Sequence, residues 1–362
     1  MIARLNNIVK GPALSGLLCV LLLASCASTQ RVERPAKLED QSAESAYDLA
    51  AVSNKLNEAE KWANDGKRAL AALIYDAAIE TLPESKLRER IYVRAMKAAM
   101  LGRQGEGRDE EQARSQMQHA RLDAMDSGAL NLLFDRRFKA DLNIAEATIE
   151  CGAGQFESAE SLFKQAQELL SETGAHAHLV EAQIGLAYEF EIAGQADRAE
   201  RLASEAMQRA RRLDDDTMLP VAAAAAGLLR DAEREQVLID GYEAAYRSND
   251  LWWRNVMIAL AVQLHFDCGN WDDCVRWGDR MRDRDVGGLP ESEDTGLYPE
   301  DGFLLLARYA RARRLAGAEK GRTLAAYEDA LEAWAKLDES EMSRLAGWEQ
   351  KLRSGLLQLR GD

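Results

Sequence analysis

One arrangement of residues recurs along this chain and leaves little choice of fold. Its best copy runs Ala59, Trp62, Gly66, Ala71, Tyr75, Ala78 and Pro83. The same frame returns at Ala147, Gly154, Phe156, Ala159, Phe163 and Ala166, and again at Ala187, Phe190, Gly194, Ala199 and Ala206. Alanines a few turns apart let two helices approach closely, glycine permits the reversal between them, and proline ends the second helix. From about Ala46 the chain is rich in Ala, Leu, Glu, Arg and Gln, with only Pro83, Pro220, Pro290 and Pro299 as breakers. That composition predicts an all-α fold of antiparallel helix pairs.

The frame resembles the tetratricopeptide repeat (TPR), which implies a right-handed α-solenoid of helical hairpins over residues 46–338. Fainter copies follow at Ala232, Val237, Gly241 and Ala244, then at Gly269, Trp271, Cys274 and Gly278, and last at Ala318, Tyr327 and Ala330. A further, poorly marked hairpin is expected within 88–121. Successive turn residues from Gly154 to Ala318 lie 37 to 49 residues apart, against about 34 in the family, so longer helices or looser connections are expected. Residues 339–362 carry Met342, Leu345, Trp348, Leu352, Leu356 and Leu359 at helical spacing and read as a C-terminal capping helix and tail.

The N-terminus gives an address. Arg4 and Lys10 precede the apolar run Leu17-Leu18-Cys19-Val20-Leu21-Leu22-Leu23, which ends in Ala24-Ser25-Cys26. Gly11, Pro12 and Ser15 interrupt the front of that run, which is too short for the roughly 20 apolar residues of a membrane-spanning helix. Residues 1–25 therefore predict a secretory signal peptide. Leu23-Ala24-Ser25-Cys26 resembles the lipobox of bacterial lipoproteins, which implies diacylglyceryl (palmitate-bearing) modification of Cys26. Ala27 after it implies the outer membrane, facing the periplasm, or the cell membrane where the host has no outer membrane. Residues 26–45 read as the lipidated Cys followed by a flexible tether.

Net charge is −15, which argues against nucleic acid and against direct attraction to an anionic bilayer surface. After Cys19 and Cys26 the remaining cysteines are Cys151, Cys268 and Cys274. Cys268 and Cys274 stand where a helical repeat wants small residues, which favours packing over pairing.

Signatures of catalysis are sparse. P-loop, HExxH, GxSxG and GxGxxG patterns are missing, and the Ser161-to-Lys164 SxxK match places Phe163 at a packing position and lacks a KTG partner. His176 and His178 with Glu181 form a polar helix start sooner than a metal site, so no metal or cofactor is expected. The acidic connection 283–302 reads as a solvated loop rather than a calcium loop.

Function in the resembled family lies on the concave face lined by the first helix of each hairpin. Counting back from the turn residues gives Asp141, Ile144, Thr148 and Cys151, then Glu181, Ile184, Tyr188 and Glu191, and in a later hairpin Val256, Ala259, Gln263 and Phe266. This mixture of apolar and acidic side chains suits an amphipathic or basic peptide. Four of the seven tryptophans, Trp252, Trp253, Trp271 and Trp277, fall in one hairpin. Trp271 and Trp277 read as core, and Trp252 and Trp253 as a possible stacking platform. The expected function is a non-enzymatic scaffold: a lipid-anchored adaptor that binds envelope proteins or peptides in cell-envelope assembly, secretion, pilus or wall machinery. Glycan or small-solute binding at the tryptophan-rich hairpin is the alternative.

Overall fold

The computed structural model describes residues 49–64, 66–126, 136–213, 215–229, 232–281, 297 and 299–361. The signal peptide, Cys26, the tether and most of the 283–302 connection lie outside them. Every regular element among the described residues is helical. The chain divides into two compact units, Met1–Leu213 and Asp214–Asp362.

Unit 1 holds four hairpins: α1 (Leu49–Asn64) with α2 (Arg68–Thr81), α3 (Leu87–Gly102) with α4 (Glu110–Asp126), α5 (Arg136–Gly152) with α6 (Phe156–Glu172), and α7 (His176–Ile192) with α8 (Ala196–Leu213). Each helix packs mainly on its hairpin partner, and α3, α5 and α7 also pack side by side in a row. The frame alanines Ala59, Ala71, Ala78, Ala147, Ala159, Ala166, Ala187, Ala199 and Ala206 are all fully buried. Tyr75 and Phe163 fill the gaps they leave. Gly66, Gly154 and Gly194 have φ of 75–77°, the left-handed conformation that ends a helix and that a side chain would strain. The poorly marked hairpin at 88–121 is α3 with α4.

At the ends of α3 and α5 two glycines touch. A Cβ on Gly152 would overlap the carbonyl oxygen of Gly102, and one on Gly102 would lie 2.9 Å from Ile149 Cγ1. The row of first helices is thus pinched at one end by a contact between backbones.

Unit 2 contains α9 (Met218–Ala223) continuing into a 3-10 turn (Ala224–Leu228), α10 (Ala232–Arg247), α11 (Leu251–Cys268), α12 (Trp271–Asp279), α13 (Pro299–Leu315), α14 (Lys320–Trp334) and α15 (Glu339–Gly361). Where the repeat calls for a full first helix before α10, the chain has a short α9 that tightens into 3-10 geometry. Pro220 is confined to the first turn of α9, and the buried run Ala222–Ala226 ends at Gly227, a poor helix former. Asp250 caps α11 by accepting from Trp253 N at 3.0 Å. Asp338 and Glu341 form a reciprocal capping box at the start of α15, with bonds of 2.9 and 3.0 Å. Helix α15 packs on α13 and α14 and closes the last hairpin. Helix α13 starts at Pro299, so Glu300 and Asp301 belong to its first turn and not to the acidic connection.

Cys151 and Cys274 are buried, and Cys268 is exposed. Cys274 Sγ faces the carbonyl of Val262 at 3.5 Å, and burial pushes the Cys151 and Cys274 thiols up to about 12.

Candidate functional site: a cleft along the first helices of unit 1

The row α3, α5 and α7 leaves a shallow cleft on one side, with room for water over about 70 Å³. Tyr92, Ala95, Met96 and Ala99 of α3 form one wall. Asp141, Ile144, Ala145 and Thr148 of α5 form the floor, with Ala182, Gly185, Leu186 and Glu189 of α7 opposite. Glu60 of α1 and Arg103, just past α3, close the end next to the touching glycines.

Of the residues counted back from Gly154, Asp141, Ile144 and Thr148 line this cleft. Thr148 is buried and its hydroxyl donates to Ile144 O at 3.2 Å. Cys151, a turn further on, is buried off the lining. On α7 the expected set is displaced by one residue. Glu181, Ile184, Tyr188 and Glu191 lie off this cleft, which is lined from α7 by Ala182, Gly185, Leu186 and Glu189, a rotation of about 100°. Helix α7 is buried around its circumference from Leu179 to Phe190. Its rotation is therefore set by packing, with no apolar stripe in the sequence to mark a face. Ile184 and Tyr188 are buried, and burial raises the Tyr188 phenol.

Electrostatics concentrate at the closed end. Arg103 Nη1 donates to Glu60 Oε2 at 2.8 Å, and its Nε lies 2.9 Å from Glu189 Oε1. One cation thereby joins carboxylates from α1 and α7. The Tyr75 hydroxyl donates to Glu60 Oε1. Arg68 holds the turn after α3 by donating to the carbonyls of Arg103 and Gln104 at 2.5 and 2.8 Å. Glu189 Oε2 is buried and has no hydrogen-bond partner among the described residues, and burial raises this carboxyl above the ordinary range despite Arg103. A cation brought to that oxygen would satisfy it.

At the other end His178 Nε2 meets Asp141 Oδ1 at 2.6 Å, and Nδ1 lies 3.6 Å from Glu181 Oε2. The partner that sequence spacing missed is Asp141, one hairpin away; His176 stays outside the trio. Burial opposes charge on the imidazole, but the bonds to Asp141 and Glu181 outweigh it and lift His178 to about 9. The chemistry is that of a structural ion pair, and no cluster among the described residues has the makings of a metal site.

In unit 2 the two candidate stacking tryptophans differ in exposure. Trp253 is 7% exposed, with its ring edge-on to half-buried Trp252 at 4.7 Å between centroids. Trp277 is core. Val256 is buried, Gln263 half-buried, and half-buried Phe266 packs on Trp271 and on Trp348 of α15.

No protein-family model matches this chain. No curated protein matches it either. Among solved structures, one described as the apo form of RapI superposes over 85% of this chain and 84% of its own, with a TM-score of 0.47 and 13% sequence identity.

Proposed function

We propose that this protein is a lipid-anchored, periplasm-facing adaptor whose unit 1 cleft takes an amphipathic, basic segment of a partner protein of the cell envelope. The cleft supports the reading on two counts. Apolar side chains from about two turns of each of three helices line it, and among its lining residues the acids outnumber the cations: Glu60, Asp141 and Glu189 against Arg103. The observation that carries it is Glu189 Oε2, a buried acceptor on the cleft wall with no hydrogen-bond partner among the described residues. A lysine or arginine projecting from an apolar peptide face would meet it.

The anchor rests on the sequence alone: the basic start, the apolar run and Leu23-Ala24-Ser25-Cys26. No described helix is long and apolar enough to cross a membrane, so under this reading attachment comes from acyl chains at Cys26. The scaffold is read as non-enzymatic because the sequence carries none of the P-loop, HExxH, GxSxG or GxGxxG patterns.

The test is calorimetric titration of the chain with a helical peptide carrying leucines on one face and lysines beside them, against the same peptide with glutamates. The lysine peptide should bind and the glutamate peptide should not. Ile144→Arg, at a half-buried cleft position, should weaken binding about tenfold or more by introducing repulsion and bulk while leaving the helical circular dichroism intact. Equal binding of both peptides, or an unaffected Ile144→Arg variant, would refute the cleft as the site.

A further inference from the structure

The C-terminal helix does more in unit 2 than cover the last hairpin. Trp348 of α15, Phe266 near the end of α11 and Trp271 at the start of α12 form a continuous aromatic surface. Ring centroids are 5.2 Å apart for Phe266–Trp271 and 5.8 Å for Phe266–Trp348. All three rings are half-buried and keep part of their surface open. Around them stand three cations. Arg311 lies 5.5 Å from the Phe266 ring and 5.4 Å from Trp348, Arg308 lies 5.8 Å from Trp348, and Lys351 lies 5.4 Å from it.

In a chain of net charge −15, three cations about one indole are out of proportion. Elsewhere the arginines are largely matched to acids: Arg313 to Asp279 at 2.8 Å, Arg344 to Glu300 at 2.7 Å, Arg360 to Glu328 at 2.8 Å. Arg308, Arg311 and Lys351 have no ion pair or hydrogen bond among the described residues, and Arg308 Nε is buried without an acceptor. Asp267 and Asp301 act on Arg308 only through space. Burial and the neighbouring Glu300 push Asp301 up to about 7, so near neutrality it offsets only part of the charge. A buried guanidinium N–H without an acceptor costs stability unless a ligand supplies one.

We infer that this surface is a binding site for a carboxylated sugar. The guanidinium groups that lie over these rings take a carboxylate in a bidentate fork, and the parts of the rings left open take the C–H groups of a sugar. The acidity of the whole chain disfavours ligands with dense negative charge, such as nucleic acid, and leaves one carboxylate on a ring as the better fit. The site lies within unit 2 and does not depend on the unit 1 cleft, while the choice of envelope sugars below rests on the proposed periplasmic location. Two sources share this chemistry in a bacterial envelope: the lactyl ether of muramic acid in wall glycan, and uronic acids in acidic polysaccharides.

The experiment is titration of the full chain with N-acetylmuramic acid, glucuronic acid and neutral N-acetylglucosamine, read by calorimetry and by saturation-transfer NMR. At least one acidic sugar should bind about tenfold or more tightly than the neutral one; the better of the two acids identifies the source. Arg311→Gln and Lys351→Gln sit on half-buried and exposed positions, leave the core intact, and should together weaken acid-sugar binding about tenfold. Trp348→Phe keeps an apolar ring for packing and should lose affinity for acidic and neutral sugars alike. Lack of binding by either acid, equal binding of neutral sugar, or undiminished binding by the folded double variant would each overturn the inference. So would binding of a short peptide through its C-terminal carboxylate in place of the sugars.

Discussion

At the residue scale, single atoms decide positions that the repeat pattern treats as equivalent. Gly152 and Gly347 are both helical glycines, yet one touches the backbone of α3 and the other has open space around it. Gly152→Ala must push α3 and α5 apart and should cost about 2–4 kcal/mol. Gly347→Ala should stabilise by about 0.5–1 kcal/mol through the entropy of the unfolded chain. Urea unfolding of the two variants checks both signs. His178 offers a test in pH. Its folded pKa of about 9 lies above the unfolded value, so its contribution is complete below pH ~6.5 and is lost as pH rises through about 9. Between those limits the native chain should lose about 2 kcal/mol more stability than His178→Gln. Equal losses would show that Asp141 and Glu181 do not hold the imidazolium. Residue type alone did not reveal this pairing: the sequence puts His176, His178 and Glu181 together, but the strongest partner, Asp141, comes from another hairpin.

At the scale of elements, the helices that carry a clear frame were readable and their rotations were not. The alanines, the turn glycines and Pro83 mark hairpins because each answers a local demand for close approach, positive φ or chain termination. Rotation is a property of the packed pair. Helix α5 has one open stripe, and the residues counted back from Gly154 lie on it at Asp141, Ile144 and Thr148; α7 is buried on all sides, and the residues that line the cleft there are offset by one from the count back from Gly194. The missed residue that matters most is Glu189. Its only sequence signal is an acid within the otherwise apolar stretch from Ile184 to Phe190, and a buried charge there asks for a partner. Arg103 supplies it from α3 while holding Glu60 of α1. Removing that guanidinium leaves two buried carboxylates facing each other, and Arg103→Met should cost about 3–5 kcal/mol. Adding Glu189→Gln to Arg103→Met should recover part of the loss in a double-mutant cycle. Additive effects would mean the three groups do not act as one unit.

At the scale of the whole molecule, all-helical architecture followed from composition and spacing, and the C-terminal helix was found where its apolar periodicity placed it. The role of Trp348 in joining an aromatic surface was hidden, since a half-buried indole in an amphipathic helix carries no mark of what lies opposite. The proposed anchor makes its own prediction: Cys26→Ser should abolish incorporation of labelled palmitate and shift the chain from the membrane to the soluble fraction of a cell lysate. Retention at the membrane without the thiol would transfer attachment to protein contacts. The distribution of sulfur has a practical outcome. Cys151 and Cys274 are sequestered inside helix packing, whereas Cys268 is open to solvent two positions beyond Phe266. Under the proposed acylation of Cys26 and removal of residues 1–25, Cys268 is the thiol among the described residues left open to a maleimide dye. A fluorophore attached there would mark the end of α11 in the native sequence, with no cysteine added or removed.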